Sequence, residues 1–135
     1  MRRSPMQVSV ERILEAHGLL DAFRTTADFH VRLEKTSYDP LVIERTGERV
    51  VVGHYYQQNG DTMSDPEVVF HYETWTPVEI TQSPVGIYRS KFMTLDGETH
   101  VDTRFHQDVS PLVRVWARNL KYQGWENARQ VKKAA

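Results

Sequence analysis

The stretch Val50–Tyr72, VVVGHYYQQNGDTMSDPEVVFHY, decides the architecture. It opens with Val50, Val51 and Val52 and runs into His54, Tyr55 and Tyr56. It closes with Val68-Val69-Phe70-His71-Tyr72. β-Branched and aromatic side chains fit a pleated, half-buried surface, so both ends read as strands. The polar segment between them, Gln58 to Pro66, reads as a loop. Asn59-Gly60 supplies residues that tolerate positive φ, and Pro66 biases Asp65 toward extended geometry.

Upstream, the same period of two appears at Phe29, Val31 and Leu33, which alternate with His30, Arg32 and Glu34. Leu41-Val42-Ile43 begins a further strand, with Thr46-Gly47-Glu48 as a turn. The N-terminal segment changes period. Val10, Ile13, Leu14 and His17 follow helical spacing, with Ser9 as the expected cap and Gly18 as the stop. Leu19, Leu20 and Phe23 extend this as a short further turn of helix. Downstream, Val78–Ile80 is expected as a short edge strand between Pro77 and Pro84, and Val85–Phe92 as another strand. Asp96-Gly97 predicts a hairpin joining Phe92–Leu95 to Thr99–Phe105. Ser110-Pro111 predicts the start of a last helix, with Leu112, Val113, Trp116 and Leu120 on its apolar face and Gly124 as its stop. The expected fold is α+β: an antiparallel sheet of about six strands, meander-like, with N- and C-terminal helices on one face. The chain reads as a single domain over 1–135, with 1–8 and 126–135 as flexible tails.

Composition narrows the function classes. The 135 residues are 39% hydrophobic and 26% charged, with a formal net charge of -1, a folded rather than disordered balance. That charge argues against a strongly basic nucleic-acid footprint, though not against a local patch. The absence of Cys excludes disulfides, thiolate catalysis and Cys-ligated metal centres. No apolar run approaches the ~18 residues a membrane span needs. The N-terminus lacks the continuous apolar run of a signal peptide, so the expected location is the cytoplasm.

Candidate chemistry concentrates between His54 and His71. Asn59, Asp61, Asp65 and Glu67 alternate as oxygen donors, but Ser64 and Phe70 stand where a calcium loop needs Gly and Glu. A metal-dependent hydrolase or nuclease would draw on His54, Asp61, Asp65, Glu67 and His71, residue types that suit Zn²⁺ or Mn²⁺. Their spacing matches no metalloenzyme motif. No G-x-S-x-G or phosphate-binding glycine loop occurs, and the sequence calls for no cofactor. A nucleic-acid surface would use Arg89, Lys91 and Arg104 with Tyr55, Tyr56, Tyr88 and Trp75 as stacking platforms. On the last helix, Leu112, Trp116, Asn119 and Gln123 share one stripe. Asn119 and Gln123 are expected to reach the loop Gln57–Glu67, so that Trp116, Asn119 and Gln123 act as a structural clamp.

The segment HYYQQNGDTMSDPEVVF, the preceding LVIER and the later WARNLKYQGW together resemble a family of small, uncharacterised bacterial and phage proteins. The matching residues are His54, Tyr55, Gln58, Asn59, Gly60, Asp61, Met63, Asp65, Pro66 and Glu67, with Trp116, Asn119, Leu120, Gln123 and Gly124. The resemblance covers Leu41 to Trp125. It implies a domain of unknown function in accessory genes of phages and mobile elements, and it implies no catalysis. The leading reading is a non-enzymatic accessory domain that binds another macromolecule, a protein in preference to nucleic acid, through Tyr55, Gln58, Asn59, Asp61, Asp65, Glu67 and Trp75. The edge strand at Val78–Ile80 offers pairing with a second copy as a homodimer.

Overall fold

A computed structural model of the chain describes residues 3–83, 85–90 and 102–131. Helices α1 (Pro5–Ala16) and α2 (Leu20–Thr25) are followed by strands β1 (Asp28–Glu34), β2 (Leu41–Thr46), β3 (Arg49–Gln58), β4 (Asp61–His71), β5 (Pro77–Gln82) and β6 (Gly86–Arg89). Helix α3 (Thr103–Gln123), a 3-10 turn (Trp125–Asn127) and strand β7 (Arg129–Val131) complete the described elements. All pairings are antiparallel, in the order β6-β5-β4-β3-β2-β1-β7. The expected α+β class and meander are therefore present, with a seventh strand added beside β1 after the chain has passed through α3.

Register explains the core. Val31, Ile43, Val52, Val68 and Ile80 face one another across five strands, and Phe29, Arg45, Val50 and Phe70 form the next row. These residues, apart from Arg45, join Met6, Val10, Ile13 and Leu14 of α1, Phe23 of α2, and Phe105, Val109, Val113, Trp116 and Leu120 of α3 in one buried cluster. The helices thus cover one face of the sheet. The other face carries polar contacts, a His30 ring nitrogen 3.7 Å from Glu44 and an Arg89–Glu79 ion pair at 2.5 Å, as alternation along each strand requires.

Helices α1 and α3 run parallel. The Ser9 hydroxyl donates to the Ala117 carbonyl at 2.9 Å and a His17 ring nitrogen lies 2.9 Å from the Trp125 carbonyl, so the same sequence offset recurs along both helices. Ser9 is therefore an interior residue of α1. The cap is Ser4, whose side chain accepts from Gln7 N–H, with Pro5 at the first helical position. Ser4-Pro5 carries the same cap–Pro signature as Ser110-Pro111. At the latter site the apolar stripe prevails: α3 starts at Thr103 with Asp102 accepting from Phe105 N–H, and Pro111 lies inside it. Asp102–Phe105, expected in a strand, accordingly cap and start the helix; residues 92–101 of the expected Asp96-Gly97 hairpin lie outside the described residues. Val78–Ile80 is interior to the sheet, because β6 covers it. Residues 5–8 and 126–131, expected as tails, belong to α1, the 3-10 turn and β7.

Candidate functional site

The polar segment Gln58–Pro66 is a continuation of the ladder, with only Asn59-Gly60 as the turn. Gln58 pairs with Asp61, Gln57 with Thr62 and Tyr56 with Met63. Asn59 and Gly60 have φ of 53° and 84°, the positive values a two-residue hairpin turn with matching twist needs. Polar composition misled here because both faces of this ribbon meet solvent: residues Gln57 to Thr62 are exposed. Pairing of β3 with β2 ends at His54, and pairing of β4 with β5 ends at Glu67. Beyond the Tyr55 N–H bond to the Pro40 carbonyl and the Ser64–Ser83 contacts, the two strands bond only to each other among the described residues. Tyr56–Met63 is thus a β-arm that leaves the body of the sheet.

At its base the register shifts. Gly53 pairs with Glu67 and Tyr55 with Ser64, so Asp65 and Pro66 together oppose His54. This is a β-bulge, and Pro66 suits it because it has no N–H to leave unpaired. The bulge sorts the charged side chains onto opposite faces. On the outer face the Tyr55 hydroxyl donates to Glu67 at 2.6 Å. The Tyr55 ring lies over Gly53, where an added Cβ would stand 3.0 Å from Tyr55 Oη. Burial, and then the bond to Glu67, hold the Tyr55 phenol well above its ordinary pKa.

On the helix face His54 continues the core row Leu33–Leu41. Its ring packs against Trp116 and Trp125, each with centroids 5.6 Å away. Burial lowers its pKa; the backbone bond to Asp39 and the charges of Asp39 and Asp65 oppose the shift without reversing it. A neutral imidazole with Nδ1 3.2 Å from the Asp39 carbonyl donates from that nitrogen. His54, Asp65 and Gln123 line a cleft of about 420 Å³ together with Ser37, Tyr38 and Asp39.

The residues singled out in the sequence therefore separate into groups. Tyr55 and Glu67 form the outer pair. Gln58, Asn59 and Asp61 occupy the tip of the arm. His54, Asp65 and Gln123 meet in the cleft, with Trp116 beneath His54. Gln123 does not reach back to the arm through a hydrogen bond: its carbonyl accepts from Trp125 Nε1 at 2.8 Å, and Asn119 is exposed. Trp75, expected on a contact surface, is buried against Phe23 and Phe70. His71 is also buried, beside Thr74 and facing Glu48. Asp61 and His71 stand at opposite ends of β4, roughly 30 Å apart at about 3.3 Å per residue. Alternation that resembles a ligand set in a loop becomes separation along a strand. Among the described residues no three His, Asp or Glu side chains gather as a metal site. The nucleic-acid set is dispersed too: Trp75 is in the core, Arg89 is paired with Glu79, and Lys91 lies outside the described residues.

Tyr38, Asp39 and Trp125 were missed. Tyr38-Asp39-Pro40 reads only as punctuation, and Trp125 lies beyond the helix stop. Gly124 has φ of 75°, and that left-handed turn brings Trp125 back under His54 and Tyr38.

The model of one family, described as "Domain of unknown function (DUF6908)", matches residues 8–126. The chain belongs to this family. The match spans the arm, the bulge and α3, so the family's shared segment includes the whole region built above. No curated protein and no solved structure matches the chain. No helix among the described residues is long and apolar enough to cross a membrane.

Proposed function

We propose that this domain is an accessory binding module that engages another protein through the β-arm Tyr56–Met63 and the residues at its base. One observation carries the reading: among the described residues the arm has no sheet neighbour on either side, so backbone donors and acceptors of β3 and β4 face outward. An isolated two-stranded ribbon is marginally stable in water, and exposed strand edges invite pairing with another chain. A partner strand added to such an edge gains main-chain hydrogen bonds, while alternate side chains give specificity. Tyr56 and Met63, half-buried and opposite each other, supply apolar area, and Gln58 and Asp61 supply polar contacts. The accessory role, in a phage or mobile element, is supported by the resemblance of the HYYQQNGDTMSDPE segment.

A photo-crosslinking amino acid placed at Gln58 or Thr62 of the full chain, in cells that express it, tests the proposal. One discrete protein adduct is expected from both arm positions and none from Glu73, an exposed residue in the turn just past the far end of β4. Absence of arm adducts, or the same adducts from Glu73, refutes it.

A further inference from the structure

A second surface shares no residue with the arm or the cleft. Arg12 of α1 and Arg114, Arg118 and Lys121 of α3 surround a groove of about 300 Å³ between the two helices, with Val8 and Ala117 in its floor. The three α3 residues follow i, i+4 and i+7, so they form one stripe along the helix. The parallel packing of α1 and α3 sets Arg12 across the groove near the level of Lys121 and the Ser4-capped start of α1 near Arg114. None of the four cations makes an ion pair or side-chain hydrogen bond among the described residues. Elsewhere several basic side chains do find acids: Arg3 and Arg24 bind Glu11, Arg32 and Arg129 bind Glu34, and Arg89 binds Glu79. A chain of net charge -1 thus concentrates four unneutralised cations on one helical face.

We infer that this groove is a docking site for an acidic amphipathic helix of a partner protein. Charge complementarity selects the acidic character. The lining selects a protein segment over a phosphate backbone: the exposed Pro5 and half-buried Val8 offer apolar contact to side-chain knobs, which a nucleic-acid backbone lacks. Spacing selects a helix. Neighbouring rungs of the cation stripe lie one helical turn apart, the same spacing at which a helix presents its own i, i+3 and i+4 carboxylates. A third helix laid in the α1–α3 groove would read as apolar anchors below and a carboxylate row against the arginines, the usual helix-in-groove geometry.

The test uses the full chain and defined probes in fluorescence anisotropy. The first probe is a Glu/Leu peptide with Leu at i, i+3, i+4 and i+7. The others are a scrambled peptide of the same composition and a short duplex DNA. The amphipathic peptide should bind, weaken as salt rises, and lose roughly tenfold or more in affinity to an R114E/R118E protein. The Arg114→Gln/Arg118→Gln protein should fall between. Circular dichroism confirms that each variant, altered only at exposed positions, keeps the wild-type fold. Three results would overturn the inference. The amphipathic peptide fails to bind or is indifferent to R114E/R118E. The scrambled peptide binds as tightly, which leaves charge alone at work. The duplex binds more tightly through the same arginines, which assigns the groove to a phosphate backbone.

Discussion

Substituting Gly53 by Ala sets two effects of opposite sign against each other. In an ordinary extended position the change stabilises by about 0.4–1 kcal/mol, because the unfolded chain loses freedom. Here the new Cβ would stand 3.0 Å from Tyr55 Oη, 3.1 Å from Tyr55 Cζ and 3.2 Å from Glu67 Cα. Glu67 Cα belongs to the rung opposite Gly53 and cannot withdraw without disturbing the ladder. The tyrosine ring can swing aside only by giving up its 2.6 Å bond to Glu67. Overpacking of this kind costs about 1–3 kcal/mol, and a hydrogen bond to a carboxylate contributes about 1.5–3 kcal/mol, less here because Glu67 is half-exposed and can rehydrate. The steric term therefore wins, and Gly53→Ala should destabilise by about 1–3 kcal/mol net, a fall in Tm of roughly 3–10 °C. Urea unfolding followed by circular dichroism measures it. Tyr55→Phe removes the atom nearest the new methyl, so Gly53→Ala should cost less in that background, with a coupling of about 1 kcal/mol between the two sites. A Gly53→Ala protein as stable as wild type, or additive costs in the double variant, would refute the account of how the bulge is packed.

The lowered His54 pKa means that the unfolded state takes up a proton first as pH falls below about 6.5. Stability should therefore be full above that pH and decline beneath it, and a His54→Gln protein should show a shallower decline; parallel curves between pH 5 and 8 would contradict this. For Tyr55 the sign is reversed: the raised phenol pKa protects the fold below about pH 10, and stability should drop above it. Tyr55→Phe should lose that alkaline component, as equilibrium unfolding at pH 9 to 11 would reveal. Trp125 is fully buried and meets Tyr38, His54 and Gln123. Trp125→Ala should cost about 3–5 kcal/mol by denaturant titration, whereas a loss under 1 kcal/mol would show that the cleft does not rest on it. Mg²⁺, Mn²⁺, Ca²⁺ and Zn²⁺ should leave Tm unchanged. A rise reversed by chelator would return the metal-dependent hydrolase reading to consideration.

Much of the sheet was legible because its strands obey simple alternation. Phe29, Val31 and Leu33 face the core as their period of two requires, and the Val50–Tyr72 stretch forms the central hairpin. The meander follows from connections too short for parallel crossovers. What local reading lost was competition between signals. Ser9 resembles a cap but is used to bond Ala117, because Ser4-Pro5 caps better five residues earlier. Ser110-Pro111 resembles a helix start but lies inside an apolar stripe that runs from Phe105 to Leu120. β7 is three residues of ordinary polarity whose pairing with β1 is wholly non-local. At the candidate site the residue types were visible, but their grouping was not. A one-residue bulge decides which face each side chain takes, and alternation alone puts Asp65 and Glu67 together.

The bulge also shows which polar residues the fold has already used. Gly53 makes room for Tyr55, Tyr55 holds Glu67, Pro66 permits the extra residue, and His54 fills a core position between two tryptophans. Asn59-Gly60 makes the turn. These residues have a structural reason to be present whatever the domain binds. Tyr56, Gln58, Asp61 and Met63 do not: among the described residues they pair only across the arm. An eight-residue extension with unpaired edges costs conformational entropy and exposes strand to aggregation. Such an arm makes physical sense when its edges are covered by something else, which is why a protein partner, rather than a bound metal, is the reading that the geometry of this hairpin favours.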